Sequence, residues 1–170
     1  MELLLMERDD FDRVYEIMSM SFPVNEMRTY DYLKKQLDDE KFNIYVNKEK
    51  TAFITLWNFD DFDYIEHFAS LPQERGKGIG KEMIEKLIKM SGKTVVLEAE
   101  PAETEIQKRR IGFYNRVGFV VNGYYYFQPS MRDGVDGLEL KILSTPERLA
   151  EKEFEKIRDT IYKNVYKVNI

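Results

Sequence analysis

Three glycines at alternate positions, Gly76, Gly78 and Gly80, stand between a β-favouring run and an apolar helical pattern. No other stretch restricts the fold as much. The run from Phe62 to Leu71 predicts a strand that Pro72 ends. The apolar set Ile79, Met83, Ile84, Leu87 and Ile88 predicts a helix that Ser91-Gly92 stops. A strand, a glycine turn and a helix start gather bare backbone N–H groups at the positive end of a helix dipole. Such a turn favours an anion, phosphate above all. Arg75, Lys77 and Lys81 add positive charge around it. The glycines also have a plainer use, since each permits a positive φ in a tight loop. Spacing excludes two nucleotide sites. A P-loop needs four residues between its glycines and Ser or Thr after its lysine; here three residues separate Gly76 from Gly80, and Glu82 follows Lys81. The dinucleotide fingerprint needs a glycine where Lys81 stands.

Composition narrows the chemistry further. A chain of 170 residues, 43 % hydrophobic and 34 % charged, suits one domain with a real core. Its net charge of −5 argues against broad nucleic-acid or anionic-membrane binding. No apolar run approaches the roughly 20 residues of a membrane helix. The start, Met1-Glu2-Leu3-Leu4-Leu5-Met6-Glu7, lacks the basic opening of a signal peptide. A cytoplasmic location is expected. Without cysteine there is no disulfide, thiolate nucleophile or Cys-rich metal site, and one histidine argues against zinc catalysis and a Ser-His-Asp triad. Carboxylates, tyrosine, lysine and backbone dipoles remain, and no metal is expected.

In chain order, Leu3 to Met6 predicts a strand. Asp9 or Asp10 is expected to cap a helix with Phe11, Val14, Tyr15, Ile17 and Met18 on one face; Thr29 is expected to cap a second, carrying Tyr30, Leu33 and Leu37. Phe42–Val46 and Thr51–Phe59 read as a hairpin turning at Asn47–Lys50, with the 62–71 strand next. Thr94–Ala99, continuously β-favouring, predicts a strand covered on both faces. A helix from Gln107 to Val117 closes at Gly118, and two strands follow, Phe119–Gln128 and Leu138–Leu143. Thr145-Pro146-Glu147 reads as a helix start, with Leu149, Phe154, Ile157, Ile161 and Val165 on one stripe. The order predicts a mixed α/β fold with a mostly antiparallel central sheet, helices on both faces and an extra C-terminal helix.

Arg75-Gly76-Lys77-Gly78-Ile79-Gly80 resembles the Arg/Gln-x-x-Gly-x-Gly/Ala signature of the GNAT superfamily of acyl-CoA-dependent N-acyltransferases. Phe113-Tyr114-Asn115-Arg116-Val117-Gly118-Phe119 resembles its second motif. The resemblance covers residues 1–143, taken as an N-acetyltransferase domain, with 144–170 a helical extension packed on it. It implies that acetyl-CoA is co-substrate, its pyrophosphate on the turn of Arg75, Gly76, Lys77, Gly78, Ile79, Gly80 and Lys81. It also implies that the 62–71 strand splays from the strand near Val95–Ala99 to admit the pantetheine arm. Backbone groups of Phe68, Ala69 and Ser70 would pair with that arm. An N–H near Phe68 or Ala69 would polarise the thioester carbonyl. Serine at 70 departs from the family's usual branched aliphatic without touching main-chain bonding. Where many members carry asparagine, Gln107 stands, a longer side chain for the same cofactor contact.

By the same resemblance, Tyr114 protonates the departing thiolate, a task open to a phenol in a dry site; singly, it reads as a packing tyrosine. The attacking amine must lose a proton. Strand alternation puts Glu66 on the face of Phe68, making it the candidate base, with Glu98 and Glu100 as competitors. His67 points to the other face as a hydrogen-bonded packing residue. The acceptor pocket is expected from Ser21–Thr29, Trp57–Asp63 and Tyr124-Tyr125-Tyr126, where Asp60, Asp61, Asp63 and Glu66 can attract a cationic amine. The expected function is acetyl transfer to a primary amine, a small molecule in the first instance. The rival is a non-catalytic acyl-CoA sensor of the same fold. An exposed stripe on the C-terminal helix would indicate a homodimer.

Overall fold

Runs rich in apolar and β-branched residues make the strands of the first 93 residues in the computed structural model, which describes residues 1–169 and resolves into two compact units, Met1–Lys93 and Thr94 onward. In the first unit, β1 (Leu3–Leu5), β2 (Phe42–Asn47), β3 (Ala52–Asn58) and β4 (Phe62–Ser70) pair in that order, each antiparallel to the next. The turn between β2 and β3 is built on Asn47, whose Oδ1 accepts from the N–H of Thr51 and of Ala52, both at 2.9 Å. Helices α1 (Phe11–Ser21), α2 (Tyr30–Gln36) and α3 (Ile79–Ser91) bury the stripes their spacing foretells, including Phe11, Val14, Ile17 and Met18 of α1 and Met83, Ile84 and Leu87 of α3. Thr29 caps α2 by accepting from Tyr32 N–H at 3.3 Å. Asp10 does not cap α1: its own backbone is already helical, and its carboxylate accepts from Lys50 Nζ at 2.8 Å instead.

The second unit is organised on β8 (Leu138–Thr145). It pairs antiparallel with β5 (Thr94–Ala99) on one side and with the short β6 (Val120–Val121) and β7 (Tyr126–Gln128) on the other. Val95, Val96 and Leu97 are consecutive and all buried, so β5 is covered on both faces as expected. α4 (Glu105–Arg116) starts two residues earlier than the spacing predicts. The cause is a reciprocal cap: Thr104 Oγ1 accepts from Gln107 N–H, and Gln107 Oε1 accepts from Thr104 N–H.

Two expectations fail here. The single strand Phe119–Gln128 is broken after Val121, because the side chain of Asn122 takes over the ladder. Its Nδ2 donates to Ile142 O and Ser144 Oγ, and its Oδ1 accepts from Leu149 N–H. Nor does a helix start at Thr145. Thr145 is the last residue of β8, paired with Val95, and is joined to Pro146 by a cis peptide; α5 begins only at Glu151 and runs to Ile161. Its stripe is as expected, with Leu149, Phe154, Ile157, Ile161 and Val165 each at most 5 % exposed. That stripe is therefore no exposed dimer surface. The architecture is mixed α/β, mostly antiparallel strands with helices around them and a C-terminal helix.

Candidate active site

The glycine turn is bare where an anion would need it bare. After β4, Leu71 N–H donates to Thr51 O, Pro72–Glu74 make one tight turn, and the chain reaches Gly76 with φ 78° and Gly78 with φ 82°. Both values lie in the left-handed region that L side chains avoid. A side chain at either glycine would meet nothing within 4 Å, so the space beside these amides is open. Gly78 precedes α3 and no side chain caps that helix, which leaves its first N–H groups to a ligand. Lys77 Nζ lies 3.2 Å from Glu74 and Lys81 Nζ 3.8 Å from Glu85, exposed pairs that a phosphate can displace at little cost. The diphosphate of coenzyme A fits this cradle of open glycines and uncapped amides. Arg75 is exposed beside it, while Ile79 and Gly80 are half-buried.

β4 carries an irregularity that alternation cannot show. Thr55 pairs with His67 but Leu56 with Ile65, so Glu66 is an extra residue, a β-bulge. The bulge overturns the expectation that Glu66 shares the face of Phe68. Its carboxylate lies with Trp57 and Arg28 instead: Oε2 accepts from Trp57 Nε1 at 2.8 Å, and Oε1 stands 3.5 Å from Arg28 Nε. The side chains of Glu66 and Arg28 are 0 % and 4 % exposed, and no hydrogen bond takes the lone pairs of Glu66 Oε1. The Arg28 guanidinium also lies 4.8 Å over the Tyr32 ring. His67 is the packing residue foreseen. Its Nε2 meets Glu26 O at 3.0 Å, its backbone N–H donates to Thr55 Oγ1, and its ring stands edge-on to Phe22. Phe68 and Ser70 are half-buried along the strand, and Ala69 is buried.

The acidic group expected near the hairpin is split. Asp63 is buried, accepting from Asn58 Nδ2 at 3.0 Å and pairing with Lys93 Nζ at 3.0 Å. Asp60 and Asp61 remain exposed at the tip.

In the second unit, Tyr114 lies on α4, half-buried, its ring edge-on to Phe113 and Phe119 at 5.3 and 5.9 Å. Burial pushes its phenol up to about 12, only partly opposed by the Arg110 guanidinium. It is therefore a neutral O–H across the whole working range of pH. Gln107, expected at the coenzyme, is occupied in the helix cap, and its Nε2 donates to Glu100 Oε2 at 3.0 Å. Glu100 also stands 3.8 Å from Arg110. Glu98 is held by Tyr126 Oη at 2.7 Å, by Gln128 Nε2 at 2.5 Å and by Tyr166 Oη at 2.9 Å to both oxygens. Both oxygens of Glu98 accept hydrogen bonds, and Glu100 accepts through Oε2, whereas Glu66 Oε1 accepts none.

Asn122 and Tyr166 have no signal in the sequence, and Arg28 and Trp57 are expected only as members of the segments 21–29 and 57–63; each acquires its role from a partner elsewhere in the chain. One signal was available: Thr104 and Gln107 at capping-box spacing.

Comparison with known proteins decides the family. The model of the acetyltransferase (GNAT) family matches residues 11–119. A solved structure of a Bacteroides thetaiotaomicron protein, assigned as an acetyltransferase of the GNAT family, is 33 % identical, covers 99 % of this chain and 100 % of its own, and superposes with a TM-score of 0.91. The chain belongs to the GNAT family. YjbC of Bacillus subtilis (strain 168), also assigned as an acetyltransferase, is 29 % identical to this GNAT chain over 158 residues, 89 % of this chain and 80 % of YjbC. A Bacillus subtilis acetyltransferase in complex with CoA shares the fold at 16 % identity, covering 84 % of this chain and 96 % of its own, with a TM-score of 0.58. Among the described residues no helix is long and apolar enough to cross a membrane, and no group of acids or histidine could hold a metal ion.

Proposed function

We propose that the chain transfers the acetyl group of acetyl-CoA directly to a primary amine, a small molecule in the first instance. The observation that carries this reading is the open, uncapped glycine turn before α3 in a chain of the acetyltransferase family. Acetyl-CoA, when bound, supplies the acetyl group and departs as the thiol. The amides of residues 76–81, with Arg75, Lys77 and Lys81, hold its diphosphate. Backbone groups of Phe68, Ala69 and Ser70 align the arm, and an N–H there polarises the thioester carbonyl. Gln107 belongs to this set only through the helix it caps. Tyr114 Oη, protonated at neutral pH, donates the proton that the leaving sulfur requires. Glu66 Oε1 accepts the proton the amine gives up; it is the one oxygen of that carboxylate with no hydrogen bond. Residues 21–29 and 57–63 of the first unit, and residues 124–126 of the second, are each assigned to acceptor binding.

Thiol release from acetyl-CoA with a panel of amines tests this. Tyr114→Phe is expected to lower kcat by about 100-fold or more with coenzyme affinity retained. Glu66→Gln is expected to slow turnover and move the rate profile to alkaline pH, where the amine sheds its own proton. Turnover unchanged in Tyr114→Phe removes the acid role. Coenzyme binding without turnover of any amine favours the sensor.

A further inference from the structure

Residues 149–166 are bound through tyrosines to the acceptor-assigned residues 124–126 and to Phe127 beside them. Tyr162 Oη donates to Phe127 O and Tyr124 Oη to Leu149 O, while the Tyr124 ring stacks on Phe154 at 4.8 Å. Beneath them Glu98, on β5, gathers four hydrogen bonds from three side chains. Tyr126 and Gln128 belong to β7; Tyr166 belongs to the π-type turn (Tyr162–Tyr166) that follows α5. β7 is thus fixed from its inner side at every second residue, with Tyr126 fully buried. The alternate residues Tyr125 and Phe127 stay 67 % and 41 % exposed. Their backbone is short of ladder bonds of its own, since β7 is only three residues long and residues 123–125 before it lie outside any strand. A carboxylate that accepts from two phenols and an amide is an economical way to hold such a strand, because charge-assisted hydrogen bonds are the stronger kind.

We propose that Glu98 and Tyr166 are positioning residues: through β7 they set the pose of Tyr125 and Phe127, and so the C-terminal turn governs acceptor affinity without touching the acceptor. This rests on the acetyl-transfer reading for its consequence, though not for the clamp itself.

Tyr166→Phe removes both bonds to Glu98 and keeps the ring that packs. It is expected to raise KM for the probe amines tyramine and spermidine about three- to tenfold, with kcat within twofold. The Kd for coenzyme A by calorimetry should not change, and amide hydrogen exchange across residues 122–128 should quicken. Glu98→Gln should act in the same direction, and the double variant should be no worse than the worse single one, because both act through one contact. A lower melting temperature with unchanged exchange and unchanged KM overturns the proposal and leaves Tyr166 a mere anchor. The exchange measurement needs neither acetyl donor nor amine. Faster exchange in a protein whose wild-type form acetylates neither probe nor any other amine would sink the acetyl-transfer reading, and the acceptor role with it.

Discussion

Tyr114 shows how much a single residue's surroundings decide. An ordinary phenol would begin to lose its proton near pH 10 and with it any capacity as an acid. Here burial lifts the folded-state value to about 12. Below pH 10 the phenol is protonated whether the chain is folded or not, and its contribution to stability is constant. Between pH 10 and 12 the unfolded chain releases the proton first, so stability falls as pH rises. Denaturant melts across that interval are expected to show a smaller loss in Tyr114→Phe than in wild type, and rate profiles should show no alkaline limb from this group below pH 11. The motif around Tyr114 was legible in the sequence; the shift was not, because it depends on what packs round the ring. Glu66 is the opposite case. The sequence names the residue, and the two-residue period of a strand then points it the wrong way, since one extra residue at the bulge reverses every face beyond it.

Two helix starts with opposite finishes divide the elements by purpose. α4 is capped from within: Thr104 and Gln107 satisfy one another's backbone N–H groups. α3 has Gly78 in the same place, left-handed and without a side chain to cap anything. Alanine at Gly78 would meet no neighbour, so its cost to the free protein is the conformational strain alone, about 1–2 kcal/mol. The methyl group would, however, stand in the space where the diphosphate is proposed to sit. Gly78→Ala is therefore expected to weaken coenzyme A by more than tenfold in calorimetry while lowering the melting temperature by a few degrees. Equal losses in both would make the turn structural only. Element boundaries were readable wherever local chemistry ruled, as at Thr29 and Gly92, and failed where distant pairing ruled. Thr145-Pro146-Glu147 has every mark of a helix start, yet pairing with Val95 holds Thr145 in β8.

At the scale of the whole molecule, the question is how much chain the fold requires. The family match ends at residue 119, before β6, β7, β8 and α5. Within the unit that begins at Thr94, however, β8 is the strand against which β5, β6 and β7 all pair. α5 and its flanks then bury Leu149, Phe154, Ile157, Ile161 and Val165. Full burial of such a side chain contributes about 1.5–3 kcal/mol. Five of them together amount to roughly 10 kcal/mol, as much as the entire net stability of an ordinary domain, about 5–15 kcal/mol. The C-terminal helix is thus expected to be integral to folding rather than a dispensable addition. A chain ended after Thr145 keeps every strand and every residue proposed for coenzyme binding and proton transfer, so a detachable extension would leave it folded and able to bind coenzyme A. Burial on this scale requires the reverse: loss of the cooperative melt, dye-binding apolar surface and no measurable coenzyme affinity. A sharp melt in the shortened chain would show that the apolar groups left uncovered by its removal find other cover.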